Sequence, residues 1–282
     1  MWRRLRDFSE LVAFHHSIFS LPFILIAMIV AAKGWFGWKL FGLAIIAAVT
    51  ARNFAMGVNR YLDRHFDRLN PRTRNRPSVD GRISERAQIL FITINALTFV
   101  IIASLVNQTA FILSFPVLFI LAFYSLVKRF SSTAHLFLGL ALALSPLAGT
   151  IAVIETTPLW SWYLAGGVLF WVAGFDLLYA IQDIDFDRHV GLHSIPASIG
   201  VNKTLLLARL FHLLTLLLWT AFIIEINAGL AGRLGIITAA IMLAWQHRLV
   251  WLSLAHINKA FFTVNGWLGF IFLIFIIFDQ AI

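Results

Sequence analysis

The 282-residue chain contains no cysteine, which excludes disulfides, thiolate metal sites and cysteine nucleophiles. Charge is nearly as scarce: only 12% of residues are Asp, Glu, Lys or Arg against 60% hydrophobic, a balance that excludes a soluble globular protein. Acids are the rarer sign, 13 against 22 Lys and Arg. No linker separates soluble domains, so the chain reads as a single membrane domain, 1–282. No A-x-A-like cleavage site follows the first apolar run, which is therefore read as a membrane helix and not as a signal peptide.

What is present is hydrocarbon. A transmembrane helix needs roughly 20 mostly apolar residues, and nine runs qualify, at about 13–32, 38–60, 87–106, 109–127, 132–154, 159–182, 203–224, 228–247 and 260–279. The expected fold is an all-α bundle of nine transmembrane helices in two related halves with a final helix added. Residues 1–14 mix Arg3, Arg4 and Arg6 with Trp2, Leu5 and Phe8, a composition suited to a segment lying on the membrane surface. The net charge of +9 looks like a nucleic-acid signal until it is mapped onto these spans. With the N-terminus inside, 17 of the 22 Lys and Arg fall in inner segments and three in outer ones. The bias reports topology and places the polar loops in the cytoplasm of a bacterial inner membrane. Neither nucleic acid nor an obligate protein partner is implied; the lipid bilayer is.

One phrase occurs twice. Asp63-Arg64-His65-Phe66-Asp67-Arg68 and Asp183-Ile184-Asp185-Phe186-Asp187-Arg188 both read D-x-x-F-D-R. Four spans separate the copies, an even number, so both face one side. Each is followed by a polar loop, a glycine (Gly81, Gly200) and an expected helix start (Ser84, Asn202). Like charges four apart destabilise a helix, and acids at a membrane boundary are costly and usually functional. Asp63, Asp67, Asp80, Asp176, Asp183, Asp185 and Asp187 make up seven of the 13 acids. Asn59, Asp63 and Asp67 form one polar stripe if the second helix runs through them, and Tyr179, Asp183 and Asp187 repeat the spacing. Carboxylate oxygens suit Mg²⁺, which fills its shell with water and phosphate.

Arg72, Arg74 and Arg76 alternate in the first loop, and an extended backbone would point all three guanidiniums at a phosphate. Tyr124, Lys128 and Arg129 end the fourth helix on the same side, either as more of the anion site or as snorkelling anchors. His193-Ser194 lies near Asp187 and is read as either a phosphate contact or a plain loop. His15 and His16 suit a helix interface, and the segment 258–265 suits a cavity lining.

At these residues the chain resembles the UbiA superfamily of membrane prenyltransferases. The resemblance rests on Asn59-x-x-x-Asp63-x-x-x-Asp67, Asp183-x-x-x-Asp187, the loop Thr73-Arg74-Asn75-Arg76-Pro77, Gly81-Arg82-Ile83-Ser84, and Asp176-x-x-Tyr179-Ala180. Many members begin the first motif Asn-Asp, whereas here Arg60 follows Asn59, which removes one carboxylate. Asn59-Arg60 with Asn70-Pro71-Arg72-Thr73 looks most like the 4-hydroxybenzoate polyprenyltransferase-like branch, which includes enzymes of menaquinone synthesis.

The resemblance implies that Asn59, Asp63, Asp67, Asp183 and Asp187 hold Mg²⁺ against the diphosphate of a polyprenyl diphosphate. Arg72, Arg74, Arg76, Lys128 and Arg129 would assist. The C–O bond would ionise, and an aromatic acid, 4-hydroxybenzoate or 1,4-dihydroxy-6-naphthoate, would be alkylated. Tyr179 would stabilise the allylic cation and Asp176 orient the acceptor hydroxyl. Arg52, inside the second helix, would meet either the acceptor carboxylate or a protein acid such as Asp176. Two competing readings are a transferase with another acceptor (haem, homogentisate, a chlorophyll precursor) and a two-repeat organic-anion transporter. Transporter sites usually lie at the bilayer midplane, whereas the ionisable residues here cluster at helix ends.

Overall fold

A computed structural model describes residues 2–12, 19–254, 257 and 263–281. Among the described residues the protein is helical, with no strand. A short helix α1 (Trp2–Leu11) precedes α2 (Leu21–Ala32) and α3 (Trp38–Leu62). After α4 (Arg64–Leu69) come α5 (Glu85–Val106), α6 (Gln108–Val127), α7 (Ala134–Ile154) and α8 (Leu159–Ala180). A 3₁₀ turn (Ile181–Asp183) leads to α9 (Ile184–Val190), α10 (Ile195–Glu225), α11 (Leu230–Leu252) and α12 (Asn265–Ala281). Seven helices are long and apolar enough to cross a membrane, and α2 and α12 are shorter apolar helices.

Local chemistry sets the boundaries. Ser84, Asn107 and Ser194 cap α5, α6 and α10 by accepting the amide hydrogen three residues on, which satisfies a donor the first turn leaves open. Pro22 and Pro196 sit in first turns, where a missing N–H costs nothing. Lys33 and Glu155 end α2 and α7 in the left-handed conformation.

α8 is the hub and packs against α7 on one side and α10 on the other. Its Trp171 is fully buried, as is Trp219 of α10, whose ring stacks between Phe23 (5.3 Å) and Phe272 (5.1 Å). Gly139 lets α7 approach α8 closely, because a Cβ there would collide with the Leu169 carbonyl oxygen. Outward faces stay greasy: Leu90, Leu97, Ile101 and Leu105 of α5, and Leu206, Leu213 and Leu217 of α10, are exposed. Those faces suit lipid.

One sequence expectation changes here. Neither acidic stripe lies on an unbroken helix: α3 stops at Leu62 with Asp63 as the joint to α4, and the 3₁₀ turn divides α8 from α9. The stripe's spacing survives because the amides of Asp63 and Asp67 still bond to the carbonyls of Asn59 and Asp63, at 2.9 and 2.8 Å. After the second loop Ser194 caps a short first turn at Ile195, and the non-helical backbone of Gly200 (φ 78°, ψ 173°) separates it from the long helical stretch that starts beside Asn202, where the sequence places a helix start. His15, His16 and residues 258–262 lie outside the described residues.

Candidate active site

Both D-x-x-F-D-R phrases open onto one cavity of about 260 Å³. α3 and α4 supply Asn59, Asp63 and Asp67; α8, the 3₁₀ turn and α9 supply Asp176, Tyr179, Asp183 and Asp187. The first loop adds Asn70, Arg72 and Arg76, and Lys128 follows α6. The loop of one copy grips the acid of the other: Asn70 Nδ2 lies 3.3 Å from Asp183 Oδ1, and Arg72 pairs with Asp183 through Nε at 3.2 Å and Nη2 at 2.6 Å.

Each acid of the first copy has a cation beside it. Lys128 Nζ is 2.5 Å from Asp63 Oδ2, which also accepts from Asn59 Nδ2 at 3.0 Å. Arg76 Nη1 is 2.6 Å from Asp67 Oδ1. Asp63 is 2% exposed and Asp67 6%, so without these partners their charges would be costly. Each keeps one buried oxygen, Asp63 Oδ1 and Asp67 Oδ2, with no hydrogen-bond partner among the described residues. In the second copy Asp187 and Ser194 both line the cavity. Burial works against the Arg72 guanidinium, but Asp183 and Tyr179 beside it outweigh that and hold its pKa above the ordinary value. Arg72 also donates to Tyr179 Oη at 3.0 Å and lies 5.4 Å from that ring's centre.

Not every sequence candidate reaches the cavity. The first loop is not extended. The Thr73 and Arg74 amides bond to the Asn70 carbonyl and the Arg76 amide to that of Thr73, a run of tight turns with a period near four and not two. Arg72 and Arg76 therefore face the site while Arg74 is exposed outside it. Arg129 is also outside: its Nη2 donates to the Leu62 carbonyl at 2.6 Å and its guanidinium covers the Phe66 ring, so it caps α3. Asp80 pairs with Arg82, and Asp185 is exposed. Asn265 is buried in the bundle, bonded to Trp171 Nε1 at 3.0 Å. His193 and Ser194 do line the cavity.

The sequence reading missed His135. It lies in the first turn of α7, is 5% exposed, and lines the cavity with Nδ1 2.7 Å from Asp176 Oδ2. A signal was available: a histidine seven residues after Lys128, at the polar end of an apolar run. Arg60 also lines the site and donates to Asn59 Oδ1 at 3.2 Å.

Behind the mouth the space continues. Tyr124 and Leu138 are shared with a smaller cavity of about 100 Å³ that holds Arg52. Arg52 makes no hydrogen bond or ion pair among the described residues, and its Nε is buried and unpartnered. Asp176 does not pair with it, being taken by His135. Ile24, Phe99, Val117, Leu144 and Ala148 are in turn shared with an almost wholly apolar cavity of about 460 Å³ between α3, α5, α6 and α7. Arginines, carboxylates, a basic inner chamber and an apolar chamber thus follow one another along a single path.

Comparison with known proteins agrees with this layout. Residues 20–276 match the model of the UbiA prenyltransferase family. The 4-hydroxybenzoate octaprenyltransferase of Chromohalobacter salexigens is 31% identical over 229 residues, 80% of this chain and 76% of that one. The enzyme of the same name from Shewanella woodyi is 31% identical over 250 residues, 87% and 85% of the two chains. Among solved structures, the apo UbiA homolog of Aeropyrum pernix K1 superposes with a TM-score of 0.86 at 32% identity, covering 94% of this chain and 98% of that one. A UbiA homolog from Archaeoglobus fulgidus bound to GPP and Mg²⁺ gives 0.76 at 20% identity over 98% of this chain and 100% of that one, a likeness of fold.

Proposed function

The chain belongs to the UbiA prenyltransferase family, and from that premise we propose that it transfers a polyprenyl chain from polyprenyl diphosphate to a hydroxylated aromatic carboxylate. The acceptor is 4-hydroxybenzoate or 1,4-dihydroxy-6-naphthoate, and the product a quinone precursor. Relatives named for 4-hydroxybenzoate make that compound the first to test. The reading counts α2 and α12 as crossings too, nine in all in two related halves, with the mouth on the cytoplasmic face of a bacterial inner membrane. The whole chain, 1–282, acts as one domain.

The observation that carries this reading is the convergence of both D-x-x-F-D-R phrases on one cavity, bridged by Arg72 and Asn70 to Asp183. The donor set is all oxygen, and two of its oxygens are buried and unpartnered, which fits a hard cation. Among the described residues no three acids or histidines stand together closely enough to hold an ion by themselves, so water and phosphate would have to complete its shell. Asn59, Asp63, Asp67, Asp183 and Asp187 would hold Mg²⁺. When bound, it neutralises charge that builds on a departing diphosphate.

The protein's own groups do the rest. Arg72, Arg76 and Lys128 exchange their carboxylate partners for phosphate oxygens and hold the leaving group. The apolar cavity takes the prenyl tail and keeps water from the reacting carbon. The bond between the allylic carbon and the diphosphate oxygen breaks with its electron pair going to diphosphate. The Tyr179 ring faces the carbon left positive. Arg52 pairs with the acceptor carboxylate and turns the ring's nucleophilic carbon toward it. That carbon bonds to the allylic carbon and the ring gives up a proton. The test is transfer of a labelled prenyl group to 4-hydroxybenzoate and to dihydroxynaphthoate by the purified protein with and without Mg²⁺. Uptake of either acid without covalent product would support a transporter instead.

A further inference from the structure

Resting on the function proposed above, we infer that His135, held by Asp176, takes the hydroxyl proton of the aromatic acceptor as its ring is alkylated. The argument starts from α7 and α8. Gly139 lies one turn beyond His135 and lets α7 press against the α8 backbone at Leu169, and this contact brings His135 beside Asp176. A carboxylate only accepts hydrogen bonds, so at 2.7 Å the His135 Nδ1 carries the hydrogen. The neutral ring's lone pair is then on Nε2. That atom is buried, has no hydrogen-bond partner among the described residues, and belongs to a side chain that lines the cavity. A buried basic nitrogen without a partner costs stability. Here a bound hydroxyl would remove that cost.

The placement suits the chemistry. His135 and Asp176 border the cavity near Leu138 and Tyr124, the two residues shared with the Arg52 chamber. An acceptor whose carboxylate meets Arg52 has its hydroxyl at the other end of the ring, toward the mouth. A phenol is a weaker nucleophile than its phenolate. As the ring carbon bonds to the allylic carbon, the O–H pair becomes the carbonyl π bond of a dienone and the proton goes to Nε2. The electron pair of the breaking C–O bond leaves with diphosphate. Asp176 stabilises the imidazolium without taking its proton. The dienone then loses its ring hydrogen to the departing diphosphate, and the imidazolium returns its proton to the oxygen, restoring the phenol. His135 is the proton acceptor and Asp176 its positioning residue.

The experiment compares wild type, H135Q and D176N on 4-hydroxybenzoate and on 3-fluoro-4-hydroxybenzoate. The fluorine is nearly the size of hydrogen and makes the hydroxyl more acidic. Assays run at a pH between the two hydroxyl pKa values, so the fluorinated acceptor arrives ionised and needs no base. H135Q is expected to lower kcat on 4-hydroxybenzoate by about 100-fold, with KM for the prenyl diphosphate unchanged. Its deficit on the fluorinated acceptor is expected to shrink to less than about tenfold, and D176N to follow the same pattern more weakly. Equal deficits on both acceptors, or normal turnover of 4-hydroxybenzoate by H135Q, would overturn the assignment. Binding of the prenyl diphosphate, followed by tryptophan fluorescence, shows separately that each variant is folded. Wild type that alkylates neither acceptor while binding the diphosphate would overturn the proposed function, and the role of His135 with it.

Discussion

Arg72 and Asp183 form a two-pronged ion pair, Nη2 to Oδ2 at 2.6 Å and Nε to Oδ1 at 3.2 Å, between residues 111 apart in the chain. Such a fork is about twice as strong as a neutral hydrogen bond and sets orientation as well as charge. R72A is expected to lower kcat/KM for the prenyl diphosphate by roughly 10- to 100-fold, and R72K to fall between it and wild type, because lysine keeps the charge without the fork. Steady-state kinetics at saturating acceptor measure this.

Asp63 and Asp183 line the mouth, just past the ends of α3 and α8. D63N and D183N are expected to abolish prenyl transfer while the protein inserts and folds normally. Size-exclusion profiles and far-ultraviolet dichroism check the fold, and product formation across a Mg²⁺ titration checks the chemistry. Near-normal turnover at saturating Mg²⁺ would remove these residues from the site.

Arg52 meets no protein acid among the described residues, so its partner is sought in the acceptor. R52M is expected to raise KM for 4-hydroxybenzoate by about 10- to 100-fold, the scale of a lost charged hydrogen bond, and to leave KM for the prenyl diphosphate unchanged. Wild type should strongly prefer 4-hydroxybenzoate over phenol, and R52M should lose that preference. Equal turnover of the two by wild type would show that no carboxylate is read.

G139A places a methyl group against the Leu169 carbonyl oxygen, a backbone atom that cannot swing aside. Overpacking of this kind costs about 1–3 kcal/mol. A lower midpoint in a thermal scan is expected, with turnover reduced further than stability alone explains, because α7 carries His135 away from Asp176.

Helix α1 is latched to the first polar loop by Arg82, whose Nη1 and Nη2 lie 2.6 and 2.8 Å from Glu10 and whose Nε lies 2.7 Å from Asp80. The hydrogen bond from Arg82 holds the Glu10 carboxyl below its ordinary value of 4.5, with the Arg82 charge acting the same way. A depressed carboxyl pKa stabilises the latched state above the unfolded value, and that contribution is lost as pH falls through the folded one. Protease cleavage after Arg6 is therefore expected to stay slow at neutral pH and to quicken below about pH 4.5, with R82A fast throughout.

The long helices are legible in the sequence because hydrocarbon fills most of their runs, and the paired acids because acids are rare here. What stayed hidden depends on backbone path and on neighbours far along the chain. Alternate arginines predict a common face only if the loop is extended; the Asn70 turns select Arg72 and Arg76 and turn Arg74 out. Arg129 lies beside Lys128 in sequence, yet it serves the end of α3, a contact that only packing creates. The helix start beside Asn202 is legible because Gly200 takes a positive-φ, non-helical backbone ahead of it, whereas the short turn capped by Ser194 is not. His135 is one of nine histidines, and its importance comes from the closeness of α7 to α8, which Gly139 permits and no local pattern announces.

Lys128 with Asp63, Arg76 with Asp67, and Arg72 with Asp183 pair three acids of the mouth with three of its cations. Under the proposed function, a dication arriving alone would have to compete with three seated cations, and a diphosphate arriving alone with three seated carboxylates. Arriving together, each frees the other's partners. Ion and diphosphate would therefore be thermodynamically coupled ligands of the proposed site: each would raise the other's affinity by the same factor, as linkage requires. On the proposed function, the protein's affinity for either ligand would become a measure of the other's concentration.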